Sequence, residues 1–158
     1  MHIRPLTAGD RPVLERATLE NLNWHDERFT LEELKNRREF TRYFDSWPGE
    51  RDFGFASVDR ARSVHGVVWL TFFSEQNPGY GFVRDDMPEL SVWVAEDHRG
   101  AGIGRALIST AVEVARSQGI PGVSLSVEAG NPARRLYERL GFRKAGHAFD
   151  EGTLLLQL

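Results

Sequence analysis

Arg99-Gly100-Ala101-Gly102-Ile103-Gly104 is the stretch on which the reading of the fold turns. It follows an apolar run, Leu90 to Val94, and opens a helical pattern from Arg105 to about Arg116. Three glycines in five positions let the backbone curl without Cβ clashes and aim several N–H groups at one point. The helix behind the loop adds its own unpaired N-terminal donors and the positive end of its dipole. Strand, glycine loop and helix together make a cradle suited to a diphosphate.

The spacing narrows the choice of diphosphate. A P-loop closes on Lys-Ser or Lys-Thr, whereas Gly104 is followed by Arg105-Ala106. A dinucleotide fingerprint needs a third glycine where Arg105 stands. Glu128 could imitate its ribose-binding acid, but a loop near residue 100 leaves too little chain for a doubly wound sheet. The plain alternative is an ordinary glycine-rich entry to a helix, since short glycine patterns are common.

Composition sets the outer limits. A chain of 158 residues is expected to fold as one domain spanning 1–158, enough to bury ~70% of its unfolded surface. With 41% hydrophobic and 27% charged residues, it has a globular composition. A net charge of −3 argues against nucleic acid or an anionic membrane as partner. No apolar run approaches the ~20 residues of a membrane span, and Met1-His2-Ile3-Arg4-Pro5 lacks the apolar core of a signal peptide. A cytoplasmic location is therefore expected. Cysteine is absent, which removes disulfides, thiolate ligands and a cysteine nucleophile. The five histidines are scattered without ligand spacing, so no metal site is expected. His98, beside the glycine loop, reads as a solvated loop residue.

Element signals run in the order β-α-α-β-β-β-α-β-α-β-β, implying a mixed α/β sheet with helices on both faces. Residues 2–6 read as a strand, and Thr7 as the cap of a helix from Ala8 to Asn21. Thr30 and Glu33 form a capping box for a helix reaching about Tyr43. Strands follow at Phe53–Val58, Val64–Phe73 and Glu89–Val94, with a loop over 74–88. Beyond the glycine-loop helix come a strand at Val123–Val127, a helix from Asn131 to Leu140, and strands at about 142–149 and 153–158.

This order resembles the GNAT superfamily of N-acetyltransferases, and two segments carry the likeness. The stretch from Leu90 through Arg99-Gly-Ala-Gly-Ile-Gly104 to Leu107 is similar to the family's acyl-coenzyme A motif. Asn131-Pro-Ala-Arg-Arg-Leu-Tyr137-Glu-Arg-Leu-Gly-Phe142 is similar to the motif that follows it. Residues 1–75 match in element order alone. One spacing departs: Asn131 precedes Tyr137 by six residues, where the commonest family pattern has seven. The fold implied is a mixed, mostly antiparallel central sheet, and the cosubstrate implied is acetyl-coenzyme A (acetyl-CoA), with no metal.

The resemblance also assigns roles. The backbone of Val92, Trp93 and Val94 would pair with the pantetheine arm as an added strand does. The N–H groups of Gly100, Ala101, Gly102, Ile103, Gly104 and Arg105 would hold the pyrophosphate, with Arg99 beside them. Asn131 would contact the pantetheine or the adenosine end, and Arg134 and Arg135 are candidates for a 3′-phosphate. Transfer to an amine needs a proton removed, because an ammonium of pKa ~10.4 is almost entirely protonated at pH 7. It also needs an acid for the departing thiolate, and Tyr137 stands where the family places it; the alternative is a tyrosine packed under the sheet. Glu89 is the candidate base, the alternative being a solvated strand-end glutamate, with Glu128, Asp85 and Asp86 in reserve. Without a cysteine or a Ser/His/Asp set, direct transfer in a ternary complex is expected.

The acceptor is expected between the first two helices, the 74–88 loop and the end of the strand that starts at Glu89. Trp24, Phe40, Tyr43, Phe44 and Trp47 are candidates to line it, or else core aromatics. Asp85, Asp86 and Glu89 would favour a cationic acceptor, a small amine or a peptide or protein amino group. The other class of function is a noncatalytic acyl-CoA-binding sensor, which would have no need of an acid at Tyr137. Exposed strand edges near the C-terminus leave room for a homodimer.

Overall fold

The computed structural model describes all residues 1–158. Its sheet has seven strands: β1 (His2–Pro5), β2 (Phe53–Val58), β3 (Val64–Thr71), β4 (Glu89–Val94), β5 (Gly122–Ser126), β6 (Arg143–Lys144) and β7 (Thr153–Gln157). Their spatial order is β1-β2-β3-β4-β5-β7-β6. Every pairing is antiparallel except β4 with β5. The expected mixed, mostly antiparallel α/β sheet is therefore present.

Helices α1 (Arg11–Leu22), α2 (Leu31–Lys35) and α3 (Arg38–Thr41) belong to one face, and α4 (Ile103–Ser117) and α5 (Ala133–Arg139) to the other. The strands alternate accordingly. Leu90, Val92 and Val94 join the α4-side core, whereas Trp93 joins Leu14, Ala17, Leu34 and Phe40 on the α1 side. In α4, Ile103, Leu107, Ile108, Ala111, Val112 and Ala115 are buried at helical spacing. Each such large aliphatic side chain contributes ~1.5–3 kcal/mol on full burial.

Three elements differ from the sequence reading. The helix expected from Thr30 to Tyr43 is broken in two. The Asn36 side chain donates to Glu32 O at 2.9 Å, closing the first turn, and Arg37 is extended. The strand expected over 142–149 shrinks to Arg143–Lys144, and the chain then turns through Gly146 toward β7. The first helix opens with a short 3-10 turn, Ala8–Asp10, in which Asp10 accepts from the Thr7 N–H and pairs with Arg4.

The β4–β5 junction decides where a site can form. Only Glu89 and Ser124 are in register there, and beyond them the strands part. Ala95 N–H donates to His65 O at 2.8 Å, so in this antiparallel ladder Trp93 and Ser91 also turn their backbone groups to β3. Val92 and Val94 turn theirs into the gap.

Candidate active site

Gly100 and Gly102 take left-handed φ values of 82° and 83°, which a side chain rarely adopts. A Cβ at either would face open space, so it is the backbone turn that calls for glycine. The first N–H of the following helix to bond within it is that of Ala106, to Gly102 O. No N–H from Gly100 through Arg105 donates to another backbone group. Six consecutive residues thus offer donors at the positive end of a fifteen-residue helix, an arrangement fit for an anion. Arg99 is turned back, its Nε donating to Val94 O at 3.1 Å.

Along the gap, Val92 and Val94 present the open edge of β4. Val92 O accepts from the Asn21 side chain of α1 at 3.0 Å. Trp93 is buried and its backbone faces β3, so of the three β4 residues expected to pair with an added strand, two point the right way. An extended chain carrying amides and ending in a diphosphate fits this edge and loop together.

Glu89 stands at the apex of the gap and is 4% exposed, not the solvated strand-end residue of the alternative reading. Its Oε2 accepts from the Tyr43 hydroxyl at 2.6 Å and its Oε1 from Gly81 N–H at 2.9 Å. Burial pushes its pKa up to about 7, opposed by those two hydrogen bonds and by the nearby Arg42 charge. Burial also holds the Tyr43 phenol well above its ordinary value, with the Glu89 charge adding to it. Thr71 and Ser124 flank Glu89 in register on β3 and β5, so their side chains share its face. Both hydroxyls are buried without a partner.

The reserve carboxylates have a different setting. Glu128 is exposed and paired with Arg28 at 2.6 Å. Asp86 pairs with Arg84 at 2.5 Å, which holds it below the usual carboxylate range, and Asp85 is exposed. Of the four acids, Glu89 alone is buried and raised toward neutrality.

Tyr137 projects from α5 into the α4-side core, edge-on to Phe142 at 6.2 Å. Its hydroxyl has no hydrogen bond within the protein, and burial alone pushes its pKa up to about 12. The preceding residue, Leu136, lies beside Gly104, as does Val94 of β4, which brings α5 to the loop. Asn131 Oδ1 accepts from Ala133 N–H at 3.0 Å, capping the start of α5 and leaving its amide NH2 for other partners. Arg134 reaches Glu151 O, and Arg135 is exposed.

Of the candidate lining aromatics, Phe40, Phe44 and Trp47 are core, Tyr43 is the partner of Glu89, and Trp24 lies at the mouth. Trp24, His25 and Arg28 face Ala129 and Gly130 across a cavity of about 370 Å³. His98 is not a free loop residue: its ring stacks on His65 at 3.7 Å. Gly81, Asn21 and Arg28 were not legible as site residues, and Tyr43 was legible only as an aromatic that could line the acceptor site, not as the partner of Glu89. The contacts that place Tyr43, Asn21 and Arg28 bridge 46, 71 and 100 positions of sequence, with no local pattern to mark them.

The family model described as Acetyltransferase (GNAT) family matches residues 17–142. The chain belongs to the GNAT acetyltransferase family. It is 35% identical over 133 residues to a mycothiol acetyltransferase of Corynebacterium aurimucosum, an alignment covering 80% of this chain and 41% of that protein. It is 42% identical over 96 residues to an L-methionine sulfoximine/L-methionine sulfone acetyltransferase of Pseudomonas paraeruginosa, covering 55% of this chain and 56% of that one. The chain spans about half the length, or less, of these two relatives. A solved GNAT superfamily phosphinothricin acetyltransferase from Sinorhizobium meliloti, in complex with acetyl-CoA, superposes with a TM-score of 0.67. That comparison covers 99% of this chain and 86% of the other at 20% identity, a likeness of fold. No helix of this GNAT chain is long and apolar enough to cross a membrane.

Proposed function

We propose that residues 1–158 form a single acyltransferase domain, an acetyl-CoA-dependent N-acetyltransferase that moves the acetyl group directly to a primary amine in a ternary complex. One observation carries this reading: a buried carboxylate near neutrality, Glu89, lies where two strands part, at the end of an open edge that leads to an unpaired N–H cradle. Acetyl-CoA supplies a thioester as the activated acyl group.

The residues divide the work. The N–H groups from Gly100 through Arg105 hold the pyrophosphate, each charge-assisted bond contributing ~1.5–3 kcal/mol. Val92 and Val94 hold the pantetheine amides, with the free Asn131 amide group nearby. Glu89 takes the proton that the amine must lose; as the deprotonated form is the base, activity rises with pH through about 7. Tyr137, pushed up to about 12, is fully protonated at neutral pH. Its hydroxyl donates to the charge that develops on the leaving sulfur as the carbon–sulfur bond breaks.

The acceptor is a small amine or a peptide or protein amino group. Its attraction by acidic side chains is weaker than the sequence implies, since Asp86 is neutralised by Arg84 and Glu89 is sealed. Calorimetric titration with acetyl-CoA, with NAD and ATP as controls, tests the cradle. Micromolar binding of acetyl-CoA alone is expected, and coenzyme A release with an amine panel then tests transfer. Preference for NAD or ATP overturns the reading, and acetyl-CoA binding without transfer to any amine makes the protein a sensor.

A further inference from the structure

The carboxylate proposed as base is sealed within the protein, 4% exposed, and each of its oxygens already accepts a hydrogen bond. Both Glu89 oxygens are engaged, one by the Tyr43 hydroxyl and one by Gly81 N–H. The loop that supplies Gly81 lies hard against it: Gly79 has no room for a Cβ, which would collide with Glu89 Oε1 and the Tyr43 hydroxyl. The hydroxyls of Thr71 and Ser124, its in-register neighbours, are buried but form no bond to it. The one O–H in contact with Glu89 is that of Tyr43.

Tyr43 is itself fixed by two different partners. Its oxygen accepts from Tyr80 N–H at 2.7 Å and its proton goes to Glu89 Oε2 at 2.6 Å. Its ring is held edge-on to Phe73 at 5.1 Å and stacked on Tyr80 at 6.5 Å. A phenol oxygen can donate once and accept twice, so one lone pair of Tyr43 is uncommitted. The charged group on the neighbouring turn is Arg42, which donates to Pro78 O and whose charge favours an ionised Glu89.

We propose that Tyr43 is a catalytic proton relay, taking the acceptor's proton on its free lone pair while passing its own to Glu89 Oε2. This rests on the acetyltransferase reading above and goes one step further into it. The step balances: as the amine nitrogen bonds to the acyl carbon, the carbon–sulfur bond breaks with its electron pair leaving on sulfur, while the amine N–H bond breaks and a new O–H forms on Tyr43. The former Tyr43 proton completes the neutral Glu89 carboxyl, and return of that proton to solvent restores the starting state. Tyr43 remains neutral throughout, which its buried position favours.

The test compares wild type, Glu89→Gln and Tyr43→Phe in coenzyme A release with an accepted amine, alongside acetyl-CoA binding and thermal melting. Tyr43→Phe is expected to lose at least thirtyfold in kcat while acetyl-CoA affinity stays within twofold. Its residual pH limb should move above that of wild type, because Glu89 loses a hydrogen bond that favours its ionised form. Loss in Glu89→Gln with kcat retained within twofold in Tyr43→Phe overturns the relay and leaves the base reading standing. No release by wild type with any amine overturns both. Should Tyr43→Phe not fold, a proton inventory in the Tyr137→Phe background decides: a curve requiring two moving protons is expected, and a straight line overturns the relay.

Discussion

On the donor side of the gap, residues 100–105 follow one another along the chain and leave their N–H groups free of backbone partners. On the acceptor side, Tyr43, Gly81 and Glu89 come from three separate segments and satisfy one another's polar atoms. The first arrangement is ready for an anion and needs little of its surroundings beyond a helix start. The second places an ionisable group in a closed, desolvated setting whose value is its shifted proton affinity. Binding can therefore be lost on one side with chemistry intact, and chemistry on the other with binding intact.

The sharpest break expected is Glu89→Gln. The amide keeps the shape and can still accept from Tyr43, but it cannot take a proton. A drop in kcat of about 10²–10⁴ is expected, with acetyl-CoA affinity within twofold by calorimetry. A comparable loss of affinity would show that the two sides are not separable.

The mirror experiment is Gly102→Ala. At φ 83° a Cβ costs ~1–2 kcal/mol, and the loop relaxes by turning its N–H groups away. Acetyl-CoA binding should weaken about tenfold, with kcat at saturating donor nearly unchanged. A kcat loss larger than the affinity loss would contradict the division.

These two residues also mark what a sequence can and cannot disclose. Gly102 was legible because its φ requirement, the apolar strand before it and the periodic face after it are contiguous. The α4 helix and the start of α5 at Asn131-Pro132 were legible for the same reason. Glu89 was visible only as a strand-end acid, since its burial depends on a loop that passes over it and on a tyrosine 46 positions away. The break at Asn36–Arg37 escaped notice because a side-chain bond to Glu32 O outweighed an otherwise helical pattern. His98 looked solvated because its stacking partner, His65, lies far back in the sequence on β3.

The acceptor side should also show itself in stability. Glu89 in the folded protein has its pKa raised from 4.5 to about 7, so between those values the folded state holds a proton that the unfolded state has lost. Its contribution therefore declines as pH rises from about 4.5 to about 7 and stays low above. The Tm of Glu89→Gln should gain on wild type between pH 5 and pH 8. A constant difference would mean that Glu89 is not held near neutrality by burial. No equivalent pH dependence is expected of Gly102→Ala.

The smallest effect is expected where the α1–α2 segment meets the β5–α5 loop. Arg28 and Glu128 form a two-pronged pair there, at 2.6 and 3.1 Å, with side chains 39% and 46% exposed. Exposed pairs of this kind contribute about 0–1 kcal/mol and weaken with salt, so Glu128→Gln should barely shift the Tm. Arg28 also donates to Leu22 O, closing the end of α1, and it lines the 370 Å³ cavity with Trp24. Arg28→Ala should therefore exceed Glu128→Gln, raising the acceptor KM a few-fold while leaving acetyl-CoA affinity as it is. If the affinity for acetyl-CoA falls instead, the α1–α2 segment belongs to the donor side. The boundary between the two halves would then run through Asn21, whose side chain already occupies Val92 O on the open edge of β4.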